Sequence, residues 1–231
     1  MGTSTHSVPD RIVSLEVVKL LSQRREAVRF GVRLEVVTVV WMLAEAGLAI
    51  GAGLVARSLL LTAFGFDSVI ELVSGVTLLW RLSSEARGSS VERAEGVERR
   101  ATWISAVLLV LLCLYVVFVG LAGLATRLRP EGSLLGAAVA GAAVLVMPIL
   151  AWQKRRANMA IGSPALRADI AETITCAYMA AATLAGVALN LLAGWWWAEY
   201  VAVFVLLVFL ARETIEAVGA ALGHDSHDGG Q

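Results

Sequence analysis

Apolar runs of about 20 residues, the length a helix needs to cross the hydrocarbon core of a bilayer, alternate with short polar breaks along most of this chain. Six runs have that length: 34–56, 59–80, 101–125, 133–153, 166–192 and 195–216. The breaks favour antiparallel neighbours, since only "ARS" separates spans 1 and 2 and "LAGWWWAE" separates spans 5 and 6. Trp195, Trp196 and Trp197 cluster at the second of these, where an interfacial aromatic belt belongs. The pattern predicts an all-α membrane protein, a six-transmembrane-helix bundle.

Composition agrees with the pattern. Hydrophobic residues make up 58% of the chain and charged residues 16%, with a mean hydropathy of +0.76, which excludes an ordinary soluble domain. The formal net charge is zero, and nothing in it points to a nucleic-acid partner. The placement of charge is more informative. Of 19 Lys and Arg, only Arg57, Arg127 and Arg129 fall in the three turns on one side. The remainder lie in the N-terminal segment, the 81–100 and 154–167 connections and the end of span 6. By the positive-inside rule both termini are cytoplasmic. The expected organisation is therefore a cytoplasmic amphipathic segment over 1–33, a six-span domain over 34–217, and a short disordered tail over 218–231. Residues 10–30 alternate apolar and basic patches and read as a helix on the membrane surface. No apolar segment near the start resembles a signal peptide. The 81–100 stretch reads as a solvated, charge-mixed connector. His224 and His227, in "GHDSHD", read as a solvated tail rather than a metal site.

Ionisable residues at bilayer depth cost about 2.5–3.5 kcal/mol on the insertion scale, so they face the bundle interior or a water-filled path. This chain has several. Glu45 lies near the middle of span 1, Asp67 and Glu71 near the middle of span 2, and Glu172 and Cys176 in span 5. Residues four apart share a helix face. Asp67 and Glu71 therefore point one way, as do Glu172 and Cys176. Two helices that each present such a pair close four donors around one ion. Three carboxylates and a thiolate suit Zn²⁺, and sulfur argues against Mg²⁺ or Ca²⁺. Without a cation, crowded carboxylates in a low dielectric retain protons, and metal binding displaces them. That is the physics of metal/proton exchange. Glu45 reads as a neighbouring or proton-carrying carboxylate, since four donors are already present. Cys113, in "LLVLLCLYVVF", has no polar neighbour at helical spacing and reads as packing. Glu199 opens span 6, where the helix dipole favours an acid, and a structural role suffices for it.

At these residues the chain resembles the cation diffusion facilitator (cation efflux) family. The stretch "GAGLVARSLLLTAFGFDSVIELVSG" with "LLWRL" is similar to that family's spans 1–2, with a Ser followed by an acidic i, i+4 motif. The stretch "GSPALRADIAETITCAYMAAATLAGVALNLLAGWWWAEY" resembles its spans 5–6. The resemblance implies six spans with cytoplasmic ends, export of divalent metal in exchange for protons, and a homodimer. It places Asp67, Glu71, Glu172 and Cys176 at the ligand positions. Glu71, Glu172 and Cys176 depart from the usual residue types, and Phe64 stands where an acid is frequent. The cytoplasmic metal-binding domain and the His-rich loop of many members have no counterpart here, as in the family's short branch.

The expected function is thus a divalent metal transporter in the plasma (inner) membrane, carrying zinc, cobalt, cadmium or iron out of the cytoplasm against protons. Its partners are the metal ion, protons and the lipid bilayer, with no resident cofactor. The alternative is a non-transporting regulatory or scaffold protein that keeps the fold. No H-E-x-x-H or G-x-S-x-G sequence points to an enzyme.

Overall fold

A computed structural model describes residues 8–86 and 91–228, with side chains over 26–84, 103–163 and 165–222. The described residues form six helices: α1 Val8–Ala56, α2 Leu59–Ala86, α3 Val91–Ala125, α4 Leu134–Ile161, α5 Pro164–Ala193 and α6 Trp196–Asp228. The segments Glu26–Ala56, Leu59–Ser84, Trp103–Ala125, Leu134–Ile161 and Ala165–Ala193 are each long and apolar enough to cross a membrane. α6 falls outside that group because it carries Glu199, Arg212, Glu213 and Glu216. It nevertheless runs along α3. Tyr200 Oη donates to Leu128 O beyond the end of α3, and Thr214 Oγ1 lies 3.3 Å from Cys113 Sγ at the middle of α3.

The helices close into a ring in the order α1, α4, α5, α6, α3, α2, with α2 and α5 in contact across its centre. Small residues let the backbones approach, as is usual between helices in lipid. On the α1–α2 seam, a Cβ on Gly65 would sit 2.8 Å from the Ile50 backbone nitrogen, and one on Gly53 would sit 2.7 Å from that of Thr62. Local signals set the ends. α1 stops at Arg57, whose φ of 51° turns the chain and lets Ser58 N–H reach Gly53 O at 2.9 Å. α4 ends at Gly162 with a φ of 69°, Ser163 caps α5 by accepting from Leu166 N–H, and Pro164 opens that helix. The outer surface is apolar, with Val40, Leu43, Leu114, Phe118, Leu145 and Ile149 exposed, while Glu35, Glu45, Asp67, Glu71, Lys154 and Asp169 are buried. That inverted distribution fits a bundle in hydrocarbon.

The span boundaries agree with expectation at the three turns near residues 57, 130 and 195. They differ at the polar ends. The described parts of the 81–100 stretch are helical: α2 continues to Ala86 and α3 begins at Val91. The tail expected to be disordered continues α6 as far as Asp228. The segment expected to be separate at 1–33 runs without a break into span 1 as one helix from Val8. Its amphipathic character rests on side chains outside the described ones, as does the reading of His224 and His227. Hydropathy reports contact with lipid, whereas a helix continues into water wherever its backbone can.

Candidate metal centre

α2 and α5 meet where their acids lie. Asp67 is 1% exposed and Glu71 is 5% exposed. Neither carboxylate has a hydrogen-bond partner. Both line a cavity of about 270 Å³ together with Glu172 of α5, Ser74 of α2 and Ser105 of α3. The i, i+4 spacing therefore turns both members of the α2 pair inward and brings Glu172 to face them. Buried polar groups in folded proteins are almost always paired. Two adjacent acids with four free oxygens are an arrangement that calls for a cation or for protons.

Cys176 shares the α5 face but lies deeper than the cavity wall. It is fully buried, and its thiol donates to Glu45 Oε1 at 3.9 Å. Glu45 sits behind the cavity and is well satisfied. Trp41 Nε1 donates to its Oε2 at 2.6 Å, and Ser68 Oγ donates to its Oε1 at 2.7 Å. Glu45 is not among the residues that line the cavity, and it touches the candidate ligands through Cys176. Among the described residues, no three Asp, Glu, His or Cys side chains converge closely enough to hold a metal ion as they stand. An ion held by this set has to draw the helices together.

Two features escaped the sequence reading. Glu213 of α6 lines the same cavity, and its Oε1 is buried without a partner. Its one sequence signal was the small residues Ala217 and Ala220, one and two turns further on the same face, which also line the cavity. The second is a buried ionic triad. Lys154 Nζ donates to Asp169 Oδ2 at 2.6 Å and pairs with Glu35 Oε2 at 3.1 Å, joining α4 to α5 and α1. Lys154 had counted as a loop cation in "QKRRAN", yet it is 1% exposed. At the opposite end of the bundle, Glu199 accepts from Ser58 Oγ and, at 2.7 Å, from Asn190 Nδ2, which also donates to Pro130 O at 3.1 Å. Three turns are stapled by one acid, so the structural role expected of Glu199 is the one it fills.

A model of the cation efflux transmembrane domain matches residues 36–221. The chain belongs to the cation efflux family. The match runs through α6, so this charged helix is part of the cation efflux domain, and the chain is an integral, multi-pass membrane protein. The chain is also similar to an uncharacterized transporter of Synechocystis sp., 28% identical over 160 residues that cover 68% of this chain and 52% of the relative. It thus spans about half the length of that relative. Within the cation efflux domain, Asp67, Glu71, Glu172, Glu213 and Glu216 are the described acids that line one cavity.

Proposed function

We propose that this protein carries a divalent metal cation across the membrane, zinc foremost among zinc, cobalt, cadmium and iron, in exchange for protons. Asp67, Glu71, Glu172 and Cys176 hold the ion, and Glu45 receives or passes protons behind them. One observation carries this reading: Asp67 and Glu71 are buried carboxylates without protein partners on the wall of a cavity inside the membrane domain. Carboxylates so placed bind either protons or a cation, and exchange of one for the other is the elementary step of antiport. The cavity is lined by Ser74, Ala168, Ala217 and Ala220, which lie toward the end of the bundle that holds the α4–α5 turn and the basic residues Arg155, Arg156 and Arg167. By the positive-inside rule that end is cytoplasmic, so the described state takes up cargo from the cytoplasm for export. Family membership and a transporter-named relative support the same reading.

The test is purified protein in liposomes, with metal uptake and internal pH followed together for Zn²⁺, Cd²⁺, Co²⁺, Fe²⁺ and Mn²⁺. Uptake of metal coupled to proton counterflow, lost in Asp67→Asn, is expected. Metal binding without uptake would leave the non-transporting alternative in its place.

A further inference from the structure

We propose that Glu213 is a cargo-binding carboxylate on α6, the group that receives the divalent cation from the cavity mouth and shares it with Asp67, Glu71 and Glu172. This inference rests on the functional reading above and adds a third helix to the site.

The placement comes first. Glu213, Glu216, Ala217 and Ala220 fall at helical spacing on one face of α6, and all four line the cavity that Asp67, Glu71 and Glu172 line from α2 and α5. The other faces of α6 carry exposed apolar side chains, among them Val201, Phe204 and Val208. The alanines leave open volume beside the two acids, so this face is shaped as a wall of the cavity and not as a packing seam.

The partners come second. Glu213 Oε1 is buried and unpartnered, as are both carboxylate oxygens of Asp67 and of Glu71. No Lys or Arg is among the described residues that line the cavity. Lys154 is committed to Glu35 and Asp169, and Arg212 is 72% exposed and turned to Glu216 at 4.0 Å. Glu213 lies within electrostatic reach of Asp67, Glu71 and Glu172. Three helices therefore aim acids into one space whose described lining holds no Lys or Arg.

The third element is the gradient of exposure. The Glu216 side chain is 73% exposed at the rim, Glu213 is half-buried, and Glu71 and Asp67 are buried. A hydrated cation meets carboxylates in order of decreasing water and exchanges its hydration shell for oxygen ligands stepwise. Among the described residues no three acids are yet close enough to hold an ion. A divalent ion that displaces their protons has to draw Glu213 and the α2 acids together. Glu213 is the handle by which bound cargo draws α6 inward.

Glu213→Gln, Glu213→Asp, Glu216→Gln and Asp67→Asn decide the matter. Each is purified in detergent, and Zn²⁺ affinity is measured by calorimetry and thermal midpoint with and without Zn²⁺. Glu213→Gln should weaken Zn²⁺ at least about tenfold, the range for losing a partner at a metal site. It should not lower the metal-free midpoint, because a neutral amide replaces an acid whose buried oxygen has no protein partner, while it shrinks the rise that Zn²⁺ produces. Glu213→Asp keeps the charge and should stay much closer to wild type, and Glu216→Gln, at the water-exposed rim, should lose less affinity than Glu213→Gln. Unchanged affinity in Glu213→Gln, equal loss in the Asp and Gln variants, or a Gln variant that is less stable without metal or does not fold would each overturn the proposal in favour of a packing role. Asp67→Asn separates the two levels. If it binds Zn²⁺ as wild type does, the functional reading itself fails. If it loses Zn²⁺ while Glu213→Gln does not, only the role of Glu213 fails.

Discussion

Removing the Lys154 ammonium should be among the most damaging single changes in the bundle. Its Nζ lies 2.6 Å from Asp169 and 3.1 Å from Glu35, and all three side chains are at most 9% exposed. Lys154→Met keeps the volume of the stem and deletes only the charge, which leaves two carboxylates facing each other in a low dielectric. Breaking a buried ion pair by removing one partner costs about 3–5 kcal/mol, mostly because the remaining charge has no compensation. For a chain of this size that corresponds to a fall of roughly 6–20 °C in thermal midpoint. The assay is metal-free thermal unfolding in detergent, followed by the fluorescence of the seven tryptophans. The loss should be smaller at pH 5 than at pH 8, since protons then neutralise the stranded acids. The triple variant Glu35→Gln, Lys154→Met, Asp169→Asn removes every charge at once and should recover at least half of the lost midpoint. A Lys154→Met protein within about 1 kcal/mol of wild type, the scale of an exposed pair, would refute the argument. So would a triple variant less stable than the single one.

Three further outcomes follow from the same geometry. Cys176→Asp should keep transport but lose preference for Cd²⁺ over Mn²⁺, and Cys176→Ala should weaken Cd²⁺ most. Liposome uptake at one fixed pH reads this out, and an unchanged ratio in both variants would reduce Cys176 to packing against Glu45. Glu45→Gln keeps one oxygen acceptor, enough for the Trp41 donor, with an amide N–H that the Ser68 hydroxyl can accept, but cannot exchange a proton, so the pH dependence of transport should change while the fold survives. A pH profile that matches wild type would leave Glu45 a helix-packing residue. Glu199→Ala strands Ser58 and Asn190 and should cost about 2–3 kcal/mol in thermal unfolding, with Zn²⁺ affinity unchanged because the residue lies at the other end of the bundle from the cavity mouth.

The spans were legible because lipid imposes a length: an apolar stretch such as 103–125 has one physical use. The α2 and α5 pairs were legible because the i, i+4 rule is internal to one helix, so Asp67 and Glu71 announce a shared face before any partner is known. What escaped were residues whose meaning lies on another helix. Glu213, in "ARETIEA", looks like the solvated end of a span until α2 is placed beside it. Lys154 looks like one more cation in a basic loop until Glu35 and Asp169 close around it. The polar continuations of α2, α3 and α6 escaped for a different reason, since they satisfy their backbones in helices that never meet lipid.

The buried acids of this bundle divide by their partners. Asp169 is held by Lys154, Glu45 by Trp41 and Ser68, and Glu199 by Ser58 and Asn190, while Glu35 has the Lys154 ion pair at Oε2 but no partner at Oε1. Each of these ties helices or turns together, and none lines the cavity. Asp67, Glu71 and Glu213 hold unpartnered buried oxygens, and all three line it. A protein that needed its buried acids only for architecture would gain by pairing every one of them, because an unsatisfied buried charge is the most expensive group in a fold. That cost is tolerable when the missing partner arrives from outside and leaves again, as a transported cation and its exchanging protons do. The unpaired acids are therefore the ones to mutate for transport, and the paired ones are those to mutate for stability.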